Sequence, residues 1–99
     1  MRASIVIPCF NERESIGPTV SAILQQLHQE QRRDIELIVV NDGSSDGSAQ
    51  VLDALLNEEL DGRLRVIHHR RNLGYGAALK SGIMRSQATY ICITDADGK

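Results

Sequence analysis

Apolar residues fall along this chain in two alternating patterns. Short runs rich in β-branched side chains recur four times: ASIVIPC over Ala3 to Cys9, IELIVVN over Ile35 to Asn41, LRVIHH over Leu64 to His69, and TYICIT over Thr89 to Thr94. Runs of that length and makeup predict strands buried on both faces, as in parallel sheets. The segments between them carry a helical spacing instead. Ile16, Val20, Ile23, Leu24 and Leu27 share one face of a helix of about fifteen residues. Val51, Leu52, Leu55 and Leu56 do the same in a second helix, with Asp46 placed to cap its N-terminus. Tyr75, Ala78, Leu79, Gly82 and Ile83 mark a third helix, softened by glycine.

The predicted order is βαβαβαβ. Right-handed crossovers turn that order into an α/β, Rossmann-like parallel sheet with helices on both faces and strand order 3-2-1-4. In such sheets ligands bind beyond the carboxyl ends of the strands, at the switch point beside the first strand. The residues just after each strand therefore carry the functional information.

Composition narrows the classes without choosing among them. The chain has 99 residues, enough for one small domain, with 41% hydrophobic and 24% charged residues, as in ordinary globular proteins. A net charge of −2 and 3% aromatic content argue against nucleic acid as a partner. Cys9 and Cys92 lack metal-ligand spacing and lie in apolar runs, where they read as small core residues. No leader-like segment precedes the first strand, and no apolar run nears the roughly 20 residues of a membrane span. Those features predict a cytoplasmic chain, with any membrane association left to further segments of a full-length protein.

The strand ends are polar, and three of the four carry carboxylates: Pro8-Cys9-Phe10-Asn11-Glu12, Asn41-Asp42-Gly43-Ser44 and Asp95-Ala96-Asp97-Gly98-Lys99. Asp95 and Asp97 are the sharpest pair. Two like charges this close repel unless a cation joins them, and magnesium needs only one or two carboxylates besides water and phosphate. A plain turn is the alternative. Asp42 stands at a strand end, where a carboxylate can accept a base N–H or a ribose hydroxyl. With Asp46 as the better-placed helix cap, Asp42 is expected to be free. Glu12 fits either a first-turn acid favoured by the helix dipole or a ligand contact. Gly74-Tyr75-Gly76 is only a partial dinucleotide fingerprint and follows the third strand, so its glycines predict a tight turn and close backbone approach. His28, His68 and His69 show no triad or metal spacing and receive no chemistry. Ser44, Ser45 and Ser48 read as turn and helix-start residues.

Taken together, SIVIPCFNE, VVNDGSSDGS, RNLGYGAALKSGI and TDADGK resemble the successive motifs of glycosyltransferase family 2, whose catalytic domain has the GT-A fold. The last two look most like the branch that makes polyprenyl- or dolichyl-phosphate sugars. The resemblance implies that residues 1–99 form the N-terminal, nucleotide-sugar-binding part of an incomplete GT-A domain. It implies an inverting transfer from a UDP- or GDP-linked sugar, with a lipid phosphate at the membrane as a possible acceptor. By the same resemblance Pro8, Phe10 and Glu12 line the nucleotide pocket, and Val40 and Asp42 contact base and ribose. Asp95, Ala96 and Asp97 meet the diphosphate, with Asp95 and Asp97 holding Mg2+ or Mn2+. The branch often has glutamine where Lys99 stands, and an ammonium offers no lone pair to a metal.

The acceptor site and general base are expected beyond Lys99, so the chain alone is expected to be inactive. An open fourth-strand edge further predicts self-association. Two alternatives remain. One is a non-catalytic nucleotide-binding α/β module. The other is a haloacid-dehalogenase-like phosphotransferase using Asp95, since DADG matches most of an Asp-x-Asp-Gly-Thr signature, though it stands late in the chain and is followed by Lys99.

Overall fold

The computed structural model describes residues 1–59 and 62–96. Their elements run β1 (Ala3–Cys9), α1 (Arg13–Gln29), β2 (Ile35–Asp42), α2 (Ser48–Glu58), β3 (Leu64–His69), α3 (Tyr75–Arg85) and β4 (Tyr90–Ile93). The sheet has the order β3-β2-β1-β4, and all three strand pairs are parallel. The expected topology therefore holds. Its boundaries shift slightly: β2 extends one residue further, through Asp42, and β4 contracts to Tyr90–Ile93. α1 runs 17 residues, continuing past Pro18, whose missing N–H leaves the Glu14 carbonyl without its helical donor.

Strand alternation sorts the core into two layers. Ile7, Cys9, Leu37, Val39 and Leu64 face α1 and α2, packing with Ile16, Val20, Leu27 and Leu52. Val6, Ile38 and Val40 face α3 and pack with Ala78. Full burial of side chains such as Ile16, Val20 or Leu52 contributes roughly 1.5–3 kcal/mol each. Helices thus cover both faces, as the apolar runs predict. Glu36 and Asp42 share the parity of Ile38 and Val40 on β2 and so lie on the α3 face. Arg65 and His69 share the parity of Ile67 on β3. The parallel register sets Asp42 beside His69, and Arg65 Nε lies 3.0 Å from Glu36 Oε1.

Three helix and strand expectations need correction. Leu56, Tyr75 and Ile83 are exposed, because the buried arcs of α2 and α3 are narrower than their apolar patterns. Cys92 is exposed, unlike buried Cys9, because all four residues of β4 lie on a sheet edge without cover among the described residues. Gly47, in a left-handed conformation, is the actual N-cap of α2. Asp46 sits one residue earlier and still accepts the Ser48 N–H at 3.0 Å and its Oγ–H at 2.6 Å.

Close approach of α3 to the sheet depends on Gly82. A Cβ there would lie 2.5 Å from Val6 Cγ1 and 3.3 Å from Val40 Cγ2. Gly76, on the same helix, has no atom within 4 Å of such a Cβ. Gly82→Ala should therefore destabilise the chain by about 1–3 kcal/mol through overpacking. Gly76→Ala should be neutral or stabilise it by about 0.5–1 kcal/mol. Urea denaturation of both variants checks the contrast, and equal effects would contradict this packing.

Candidate functional site

Loops at the carboxyl ends of the strands are pinned to one another before any ligand is considered. Asn11 takes a positive φ of 52°, which lets its N–H donate to Ser44 Oγ at 2.9 Å and its Oδ1 accept the Ser45 N–H at 2.8 Å. Asp46 Oδ2 accepts the N–H of Arg13, the first residue of α1, at 3.1 Å. One carboxylate thus answers the N-termini of both α1 and α2. The Ser48 side-chain bond, with the backbone bonds from Arg13 and Ser48, holds the Asp46 carboxyl below its ordinary range. Glu12 accepts the Ser15 Oγ–H at 2.9 Å through its side chain, and its carbonyl receives the Ser15 and Ile16 N–H groups, so it both starts α1 and borders the site.

A cavity of about 420 Å³ opens beside β1, where the strand order reverses. Pro8, Cys9, Phe10 and Glu12 line it from β1 and the following turn. Asp42 lines it from β2, Asn72, Gly74, Tyr75 and Ala78 from the β3–α3 loop and α3, and Asp95 and Ala96 from the end of β4. The structure thus brings together Pro8, Phe10, Glu12, Asp42, Asp95 and Ala96. Val40 is not among the lining residues: it is fully buried under α3, which leaves its side chain no surface for a base. Asp97 and Lys99 lie outside the described residues. Phe10 is 46% exposed, a flat apolar surface at the mouth. Burial pushes the Cys9 thiol up, outweighing bonds from the Glu12 backbone and Ser48, so it is a poor nucleophile. Another cavity, of about 370 Å³, lies between α1 and α2 near Arg63, at the opposite edge of the sheet from the strand ends.

Asp42 is the main departure from expectation. It is only 3% exposed and its carboxylate is not free. Oδ1 accepts His69 Nδ1–H at 2.8 Å and the Leu73 N–H at 2.9 Å. Oδ2 accepts the Gly74 N–H at 2.9 Å and Asn72 Nδ2–H at 3.2 Å. Those four bonds match the lone-pair capacity of a carboxylate. Gly43 permits the arrangement: its φ is +72°, and a Cβ would lie 2.2 Å from the Arg71 carbonyl carbon. On its far side His69 Nε2 lies 2.8 Å from Ser81 Oγ on α3. The ionised carboxylate obliges Nδ1 to carry the proton, and Nε2 pairs with the Ser81 hydroxyl, which can either donate or accept. Asp42, His69 and Ser81 therefore stand in a line that spacing along the chain does not reveal. Strand alternation and the β2–β3 register are the signals that place the first two together. Neither His69 nor Ser81 lines the cavity, so the line braces Asp42 and presents no nucleophile.

Gly74, at φ +103°, supplies the tight turn expected there, whereas close backbone approach occurs at Gly43 and Gly82 and not at Gly76. For a cation, Asp95 offers an exposed carboxylate on the cavity wall. Among the described residues no group of three or more His, Cys, Asp or Glu side chains converges as a metal cage. One or two carboxylates with phosphate oxygens suit magnesium-type binding, so the donor set fits a cation shared with a phosphorylated ligand.

A doubly wound sheet with a carboxylate-lined cleft at its switch point is the ligand-binding layout of open α/β folds. The chain belongs to Glycosyl transferase family 2, whose sequence profile matches residues 4–99. It is 34% identical over 99 residues to the dolichyl-phosphate beta-glucosyltransferase of Homo sapiens, covering 96% of this chain and 31% of that protein. It is 36% identical over 94 residues to the glycosyltransferase GlyG of Streptococcus pneumoniae, covering 95% of this chain and 29% of that protein. Among solved structures, the mannosyltransferase PcManGT of Pyrobaculum calidifontis, in complex with GDP-Man and Mn2+, superposes with a TM-score of 0.87 at 26% identity. That match covers 97% of this chain and 27% of the neighbour. The chain thus spans about a third or less of the length of these relatives. Family membership leaves the dehalogenase-like reading of Asp95 without support.

Burial raises the Asp42 carboxyl pKa, but the His69 bond, the Leu73 and Gly74 N–H groups and the His69 charge outweigh it, and the net shift is downward. A depressed folded-state value means stability that is fully present above the ordinary carboxyl range, about 3.9. That stability is lost as pH falls through the lower folded value. Asp42→Asn should remove it, because an amide turns a donor toward donors, at a cost of about 1–3 kcal/mol at neutral pH. Denaturation between about pH 7 and pH 2 should show a shallower acid loss in the variant than in the parent. An unchanged acid limb would contradict the role given to Asp42.

Proposed function

We propose that residues 1–99 are the nucleotide-sugar-binding part of a metal-dependent, inverting glycosyltransferase. The donor is a UDP- or GDP-linked sugar and the acceptor a lipid phosphate at the membrane surface. The observation that carries this is the cavity beside β1, which gathers Phe10, Glu12, Asp42 and Asp95 from three different strand ends. A relative named for dolichyl phosphate and a neighbour holding GDP-Man with Mn2+ support the choice of lipid and donor. No described helix is long and apolar enough to cross a membrane.

In this reading Phe10 stacks against the base and Asp42 receives a base N–H. Asp95, with Asp97 two residues later, would hold Mg2+ or Mn2+ against the diphosphate. A cation bound there offsets charge developing on the leaving group. Glu12 borders the same cleft from the start of α1. The acceptor pocket and any general base are assigned to the remainder of the full-length protein.

Titration of the chain with UDP and GDP, with and without Mn2+, tests the reading. Binding should be weak and metal-dependent, and Asp95→Ala should weaken it about tenfold or more in Mn2+ alone. Binding indifferent to metal would instead favour a non-catalytic nucleotide module. Sugar transfer by the 99 residues alone would overturn the assigned division of labour.

Tyr90, Ile91 and Ile93 on β4 are 59%, 38% and 47% exposed. An open apolar edge of this kind invites pairing with a second copy. Sedimentation should show association that rises with concentration and falls in Ile91→Lys, and a monomer at high concentration would count against it.

A further inference from the structure

The two oxygens of Asp42 are held by different kinds of donor. Oδ1 is gripped from behind by His69, which is 10% exposed and braced by Ser81, and by the Leu73 N–H. Oδ2 is met by Asn72 and Gly74, both of which line the cavity. Asn72 makes the longest bonds of the set, 3.2 Å to Oδ2 and 3.3 Å to the Asp42 carbonyl oxygen, and its side chain sits on an exposed residue. With all four acceptor positions filled, an incoming N–H cannot simply add to this carboxylate. It has to replace a donor, and the cheapest donor to replace is the exposed, weakly held amide of Asn72.

We propose that Asn72 is a built-in stand-in for the ligand, its side-chain amide occupying the Asp42 oxygen that a nucleobase N–H takes over on binding, while His69 is a positioning residue that keeps the other oxygen fixed during the exchange. The proposal rests on the nucleotide reading above and goes beyond it by assigning a competitor and a brace. Asn72 favours the closed loop, so it lowers the fraction of molecules ready to bind and weakens apparent affinity by that fraction. His69 acts in the opposite direction. Without its Nδ1–H the carboxylate is free to rotate and to draw its remaining donors with it, and the exchange oxygen no longer points into the cavity. The same arrangement shapes specificity: an acceptor-only group rewards bases that present a ring N–H, as uracil and guanine do, over those that present a lone pair there.

The two residues therefore give opposite signs. Asn72→Ala should lower the melting temperature yet tighten UDP or GDP binding by about threefold to tenfold, the factor expected from removing one modest hydrogen bond. His69→Leu should weaken nucleotide binding about tenfold while leaving Mn2+-pyrophosphate binding unchanged. His69→Asn, whose amide reaches the place of Nδ1, should restore most of the loss. A purely structural role for Asn72 predicts that stability and affinity fall together, and that result, or unchanged affinity, would overturn the proposal. Failure of His69→Asn to rescue, or equal loss of pyrophosphate binding in His69→Leu, would overturn the role of His69. If the unmodified chain binds Mn2+-pyrophosphate but neither nucleotide, the nucleotide reading itself fails and this inference with it.

Discussion

A nearly buried carboxylate has to find donors for its lone pairs, and at Asp42 that requirement organises the ligand end of the molecule. An ionised group at 3% exposure is tolerated only if its acceptors are filled. They are filled by one side chain from β3 and by three groups of the loop that follows it. The loop is thereby drawn over the end of β2, close enough that Gly43 has no room for a side chain. α3 starts where that loop leaves it and lies across β1 and β2, pressed to the sheet at Gly82. The cavity wall formed by Asn72, Gly74, Tyr75 and Ala78 is a consequence of the same bonds. Chemistry and stability share the residue, so a ligand that reaches Asp42 also tests how tightly the loop is held.

The helix ends are arranged on the same economy of charge. Asp46 serves the first N–H of α1 and both groups of Ser48 at the start of α2. In dinucleotide-binding sheets the first helix turns its N-terminus toward pyrophosphate. Here that position is already occupied by a carboxylate of the chain itself, and no glycine-rich turn follows β1. Under the proposed function a phosphorylated ligand would lie on the other side of the cleft, beside Asp95, where a cation would supply the positive charge that the helix end does not. The lack of a Gly-rich first turn and the presence of strand-end aspartates are thus two aspects of one solution.

Much of this was legible in the chain. Four β-branched runs separated by helical periods dictate the βαβαβαβ order, and handed crossovers reduce the possible sheets to the observed β3-β2-β1-β4. Strand-end position then selected Pro8, Phe10, Glu12, Asp42, Asp95 and Ala96, all of which border one cavity. Failures came where an outcome depends on long-range register or on neighbours. Val40 lies two residues before the end of β2 on the same face as Asp42, but there α3 covers it. Cys92 looks like a core residue because its run is apolar, yet burial needs a covering element and not just an apolar side chain. His69 carried no local signal. Its partners come from a strand 27 positions away and a helix 12 positions away, and only the alternation of Ile67 and His69 on β3 against Val40 and Asp42 on β2 hints at the first.

The distribution of satisfied and unsatisfied groups around the cleft gives a final step. On the β2 and α3 side every polar group of Asp42 is bonded, the backbone is locked by Gly43 and Gly74, and packing at Gly82 leaves no slack. On the β4 side Asp95 is exposed, as is every residue of β4. Under the proposed function the bonded side would face the base end of the nucleotide and the exposed Asp95 side its phosphate end. Preorganisation on one side cuts the entropy cost of recognition.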